Sequence, residues 1–137
     1  MKQDDMTTPQ TPTLASDVTA IVLLAHGSRD PLWHGPVLEV AKRISQQSPD
    51  ITVSCAYLEW TAPDLAEAVQ QLTESGHQRI RLLPLFLGMG KHAREDLPAL
   101  VTNLRSLHPH LWLEVMPSVG ENALLLDVLA DVALKGP

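Results

Sequence analysis

Four short apolar runs, each followed by a stretch of helical period, recur along this chain, and that alternation leaves few folds open to it. The strand candidates are residues 20–25, 51–58, 80–87 and 111–116. Only the second and the last alternate cleanly between polar and apolar residues, so the others are expected to be covered on both faces. Between and after them, apolar side chains return at helical spacing: Val37, Val40, Ala41 and Ile44; Leu65, Val69 and Leu72; Leu97, Leu100, Val101 and Leu104; Leu125, Val128, Leu129 and Val132. The order βαβαβαβα predicts an α/β domain, a four-stranded parallel sheet with right-handed crossovers and helices on both faces. Thr61-Ala62-Pro63-Asp64 is expected to cap the second helix with its hydroxyl and carboxylate, and Gly76 to end it.

The domain occupies residues 18–137. Residues 1–17 carry Asp4, Asp5, Pro9 and Pro12 but no apolar core, and are expected to be a disordered extension rather than a signal peptide. A hydrophobic content of 45% suffices for one core but not for a deep cleft of its own. The balance of 10 Lys+Arg against 16 Asp+Glu argues against a nucleic-acid binder. Cys55 is the sole cysteine, which excludes an intrachain disulfide or a Cys-based zinc site and points to the cytoplasm. No apolar run approaches the roughly 20 residues that cross a bilayer.

In such a sheet every strand-to-helix loop lies on one edge, where ligands bind. Three of those loops carry chemistry: His26, Ser28 and Arg29 after the first strand, Glu59 after the second, Lys91, His92 and Arg94 after the third. Gly27 allows a sharp turn beside His26, and Gly88 and Gly90 give backbone freedom before His92. A helix N-terminus favours the neutral imidazole, whose lone pair suits Co²⁺, Ni²⁺ or Fe²⁺. Glu59, beside Trp60 at a strand end, is expected to be partly desolvated, which suits a proton acceptor. Arg29, Lys91 and Arg94 form a positive mouth for carboxylates on an acidic body. His34, His77, His108 and His110 are read as solvated, with a reservation for His34 beside the first loop. Met89 is expected against a ligand's apolar face, and Cys55 as a small buried hydrophobe.

Leu24-Ala25-His26-Gly27-Ser28-Arg29, Tyr57-Leu58-Glu59 with Pro63-Asp64-Leu65, and Leu83-Pro84-Leu85-Phe86-Leu87 leading to Gly90-Lys91-His92 and Asp96-Leu97-Pro98 together resemble the small CbiX-type sirohydrochlorin chelatases. These stand with SirB in one family and are relatives of the larger ferrochelatase-like enzymes. The resemblance runs from about Thr19 to the C-terminus. It implies a chelatase-like half domain that inserts a divalent metal, Co²⁺ first and Ni²⁺ or Fe²⁺ otherwise, into a tetrapyrrole. It also implies that His26 and His92 hold the metal, that Glu59 assists proton removal, and that Ser28, Arg29, Lys91 and Arg94 meet the substrate's carboxylates. Because larger members have two halves about one cleft, it implies a homodimer, with metal and tetrapyrrole as substrates and no organic cofactor. Trp33-His34-Gly35-Pro36 and Trp60-Thr61 depart from the family pattern; either tryptophan could stack on the ring or pack at the dimer contact.

Other readings compete. A non-catalytic metal or tetrapyrrole carrier would keep the same fold and ligands. A hydrolase using Ser28, His92 and Asp96 lacks a nucleophile elbow. Gly88-Met89-Gly90-Lys91 lacks the spacing of a phosphate-binding loop.

Overall fold

A computed structural model describes residues 18–137; the extension expected at 1–17 lies outside the described residues. The elements are β1 (Ala20–Ala25), a 3₁₀ turn (Pro31–His34), α1 (Gly35–Gln47), β2 (Thr52–Tyr57), α2 (Leu65–Glu74), β3 (Arg79–Pro84), α3 (Lys91–Leu107), β4 (Trp112–Val115), a second 3₁₀ turn (Val119–Glu121) and α4 (Ala123–Lys135). All four strands are parallel, in the order β2-β1-β3-β4. The predicted α/β sheet is therefore present.

The register sorts the side chains. Ala20, Val22 and Leu24 stand level with Ile80, Leu82 and Pro84, and Ile80 with Leu113. This face forms one core with Leu65, Ala68, Val69 and Leu72 of α2 and Leu97, Val101 and Leu104 of α3. Fully burying each Leu or Ile contributes about 1.5–3 kcal/mol. The chain steps from β1 to β2 in one direction and from β2 to β3 and β4 in the other, so right-handed crossovers put α1 on the opposite face.

That second face is only half covered. Leu23 is fully buried between Cys55 and Leu83, under α1, whose Val37, Ala41 and Ile44 are half-buried. Beyond it, β3 and β4 present polar groups: Arg81 pairs with Glu114, and the Arg79 guanidinium lies 4.3 Å from the Trp112 ring. The third strand thus alternates in burial, contrary to the two-sided cover expected of it, because among the described residues its second face is only partly covered. Strand β3 also stops at Pro84 instead of residue 87. Proline has no N–H for the ladder, and the chain peels away into buried Phe86 and exposed Leu87.

The caps divide differently from expectation. Asp64 alone caps α2, accepting from the Glu67 N–H at 2.8 Å while the Glu67 carboxylate accepts from the Asp64 N–H at 2.8 Å. Thr61 serves elsewhere. Gly76, with φ +97°, follows the end of α2 as anticipated. The apolar residues of α4 do not face a core: none is buried, and of the periodic set only Leu125 is half-buried.

Candidate active site at the β1/β3 switch point

The connections leaving β1 and entering β3 run to opposite sides of the sheet, so the crevice expected of an open parallel sheet opens between these two neighbours, outside their carboxyl ends. His26 follows β1 directly, and His92 occupies the second position of α3, after β3. Both are exposed on that edge. Among the described residues no group of three or more His, Cys, Asp or Glu is arranged to hold a metal ion.

His26 is held by packing. Its ring centroid lies 4.5 Å from that of Phe86, inclined by 48°. The Phe86 carbonyl accepts from the Gly120 N–H at 3.0 Å and from the Ser118 hydroxyl. Gly120 is obligatory, since a Cβ there would lie 1.7 Å from the Leu87 carbonyl oxygen. This brace from the β4–α4 loop was invisible in the one-dimensional pattern; Gly120 was its only trace.

The loop before α3 is tied by Arg94, whose Nη1 donates to the Met89 carbonyl at 2.8 Å. One arm of this expected carboxylate receiver is therefore committed to its own loop. Met89 packs half-buried on the core. Gly90, the N-cap, has an ordinary φ of −67° and Gly88 has no positive φ, so the freedom expected of these glycines is not used. Lys91 and His92 are exposed in the first turn of α3.

The other half of the site joins the loops after β1 and β2. Gly27 has φ +88°, and a Cβ on it would lie 2.0 Å from the Glu59 carbonyl oxygen. The Glu59 N–H donates to the His26 carbonyl at 3.0 Å. Glu59 itself is exposed, so the desolvation expected beside Trp60 is absent: the strand ends before it and Trp60 turns away from the core. Trp60 has φ +70°, the one non-glycine with positive φ among the described residues. The Thr61 N–H donates to the Glu59 carbonyl at 2.8 Å, closing a strained three-residue turn about Trp60. Such a conformation costs about 1–3 kcal/mol and persists only where its surroundings impose it. Here they do. The Thr61 hydroxyl donates to the Ser28 carbonyl at 2.8 Å and lies 3.2 Å from His34 Nε2. The His34 ring packs 4.7 Å from that of Tyr57, so it is part of the scaffold and not a solvated residue.

Ser28 accepts the Asp30 N–H on its hydroxyl at 3.0 Å, leaving the O–H free to donate. The Arg29 guanidinium lies 4.0 Å from the Trp60 ring centroid. Gly27, Ser28, Arg29, Trp33 and Trp60 line an open cavity of about 350 Å³. A second cavity, about 590 Å³, lies between α3 and the end of β4; it includes Arg94 and Met89 but neither histidine. At the opposite edge of the sheet, His77, His108 and His110 line about 230 Å³, with His77 Nδ1 2.9 Å from the Thr19 hydroxyl. Cys55 is half-buried, and burial pushes its thiol up.

The CbiX family model matches residues 20–135. Two similar relatives are the sirohydrochlorin cobaltochelatases of Methanopyrus kandleri, 33% identical over 61% of this chain and 59% of that one, and of Methanococcoides burtonii, 33% identical over 63% and 66%. The chain thus spans about three fifths of the length of these curated relatives. Among solved structures, a putative cobalamin biosynthesis CbiX protein from Marinobacter aquaeolei superposes with a TM-score of 0.73 at 29% identity, over 85% of this chain and 94% of that one. The sirohydrochlorin chelatase SirB of Bacillus subtilis, solved with cobalt, shares the fold with a TM-score of 0.71 at 18% identity, over 85% of this chain and 50% of that one. The chain belongs to the CbiX family.

Proposed function

We propose that this protein is a sirohydrochlorin chelatase that exchanges the two inner N–H protons of the ring for a divalent metal, Co²⁺ first among the candidates. The observation that carries this reading is the position of both histidine loops at the β1/β3 switch point of a CbiX fold. The naming of similar relatives as cobaltochelatases supports the choice of metal. His26 and His92 hold the incoming ion through neutral imidazoles. Two protein ligands leave coordination positions open for the pyrrole nitrogens, so the ion can pass to the ring instead of remaining with the protein. As it enters, Lewis-acid attraction for those nitrogens lowers the cost of losing their protons. Glu59, solvated and beside His26, takes one proton, and an imidazole or water the other. Ser28, Arg29, Lys91 and the free arm of Arg94 meet peripheral carboxylates. No organic cofactor enters the reaction, and the single free thiol suits a reducing cytoplasm.

The same reading makes the working form a homodimer. Leu124, Leu126, Val128, Leu129, Val132 and Leu134 are exposed large apolar residues on α4. Asp127, Asp131 and Lys135 give α4 one polar stripe, and a monomer rarely presents so large an apolar patch as the rest of it to water. Leu83, on the uncovered face, lines a cavity of about 500 Å³ together with α4. A second copy would cover this region and supply the other wall of the cleft. Leu129→Asp combined with Val132→Asp is expected to convert the dimer to a monomer in sedimentation equilibrium; a dimer that survives both charges would place the contact elsewhere.

An assay with excess ring separates the enzyme from a carrier. With sirohydrochlorin and Co²⁺ at a hundredfold excess over protein, anaerobically, the enzyme metallates many rings per dimer at a rate proportional to protein. Metallation that stops at one ring per dimer would establish the carrier instead.

A further inference from the structure

We infer that Trp60, Trp33 and Arg29 form a stacking platform for the face of a planar, carboxylate-bearing ring, so that the tryptophans set ring affinity at this site. The inference rests on the tetrapyrrole reading above and extends it to residues to which that reading gives no role. Three independent observations meet in one place. Both indoles are 59% exposed, on the ligand edge of the sheet, where burial gives no reason for large aromatics. They line a single cavity with Gly27, Ser28 and Arg29, the three residues that follow His26. Trp60 is also held at φ +70° by a closed turn, and that turn is pinned to the first loop through the Thr61 hydroxyl and the Ser28 carbonyl.

For the fold, such confinement of a solvent-exposed indole brings only the contact with Arg29, about 0.5–1 kcal/mol. A preorganised aromatic face gains ligand affinity, because its ordering is complete before binding. Arg29 extends the same surface. Its guanidinium sits over Trp60 at 4.0 Å and pairs with no carboxylate among the described residues. Because the guanidinium covers that face of the indole, a flat ring would stack on the opposite face of Trp60, leaving the N–H edge of this planar cation for a peripheral carboxylate. The platform is built on the residues that directly follow His26, so stacking would hold the macrocycle against the loop that carries this proposed metal ligand.

The test is a titration of metal-free sirohydrochlorin into the full-length protein, with Kd read from the ring's absorbance shift and contact from indole emission. Wild-type emission should be quenched on binding. Loss of stacking in Trp60→Leu should raise Kd about tenfold, with Trp33→Leu acting in the same direction and Trp60→Phe restoring most of the affinity. Trp112, at the opposite end of the sheet, is the internal reference and should be quenched least. Sedimentation and thermal melts of each variant accompany the titration and should match wild type.

Unchanged Kd in both leucine variants, while wild type binds the ring, would overturn the platform and leave the chelatase reading standing. Weakened binding that tracks dissociation of the dimer would also overturn it, by making the indoles subunit contacts. Failure of the wild type to bind sirohydrochlorin at all would overturn the chelatase reading and the platform with it.

Discussion

Replacing Gly27 by alanine is expected to lower the stability of the fold by about 2–5 kcal/mol, read from the urea midpoint. Two costs combine. At φ +88° a Cβ meets the following carbonyl, a penalty of roughly 1–2 kcal/mol. The methyl would also fall 2.0 Å from the Glu59 carbonyl oxygen and 3.1 Å from the Tyr57 Cβ, and relief requires moving backbone, at about 1–3 kcal/mol. The loop it must displace carries Glu59 and Trp60, so the site would suffer with the fold. Gly88→Ala is the matched control. No atom lies within 4 Å of its added Cβ, and a change within about 0.5 kcal/mol is expected. A Gly27→Ala protein as stable as the control would show that the two loops do not pack as described.

The largest effect on activity is expected at the histidines. His26→Ala or His92→Ala should each reduce the rate of metal insertion about a hundredfold or more. Losing a group that merely orients a ligand costs 10–100-fold, and a direct ligand should cost at least that. The two variants should differ in stability. His26 leaves Phe86 without its ring partner, which should cost about 0.5–1.5 kcal/mol. His92 is exposed in the first turn of α3, and its removal should leave the melt unchanged within about 0.5 kcal/mol. Rates from a folded His92→Ala protein equal to wild type would exclude it as a metal ligand.

What could be read from the sequence divides along a physical line. Apolar periodicity reports burial, so the strands, the helices and the parallel order were legible, as was the gathering of seven charged or polar groups on one edge. Periodicity does not say what does the burying. The apolar repeat of α4 marks the helix correctly, yet among the described residues that repeat finds no core. Likewise the third strand was expected under helices on both sides, whereas one side carries the Arg81–Glu114 pair. Contacts between distant loops left almost no local signal. The Thr61 hydroxyl was assigned to the nearest helix start, but it reaches 33 residues back to Ser28. The brace from Ser118 and Gly120 onto Phe86 is equally long-range. The strained turn at Trp60 ran against local preference, since a bulky aromatic is a poor choice for positive φ. Violations of that kind gather at functional sites, which is where Trp60 lies.

The most direct test of the site is to find which imidazoles take the metal. Histidine side-chain resonances of the full-length protein, followed by NMR as Co²⁺ is added, separate the two edges of the sheet in one spectrum, because paramagnetic broadening falls off steeply with distance. The account predicts that His26 and His92 are lost first, at substoichiometric Co²⁺, while His77, His108 and His110 at the far edge persist. Early loss of those three histidines, with His26 and His92 still sharp, would contradict it.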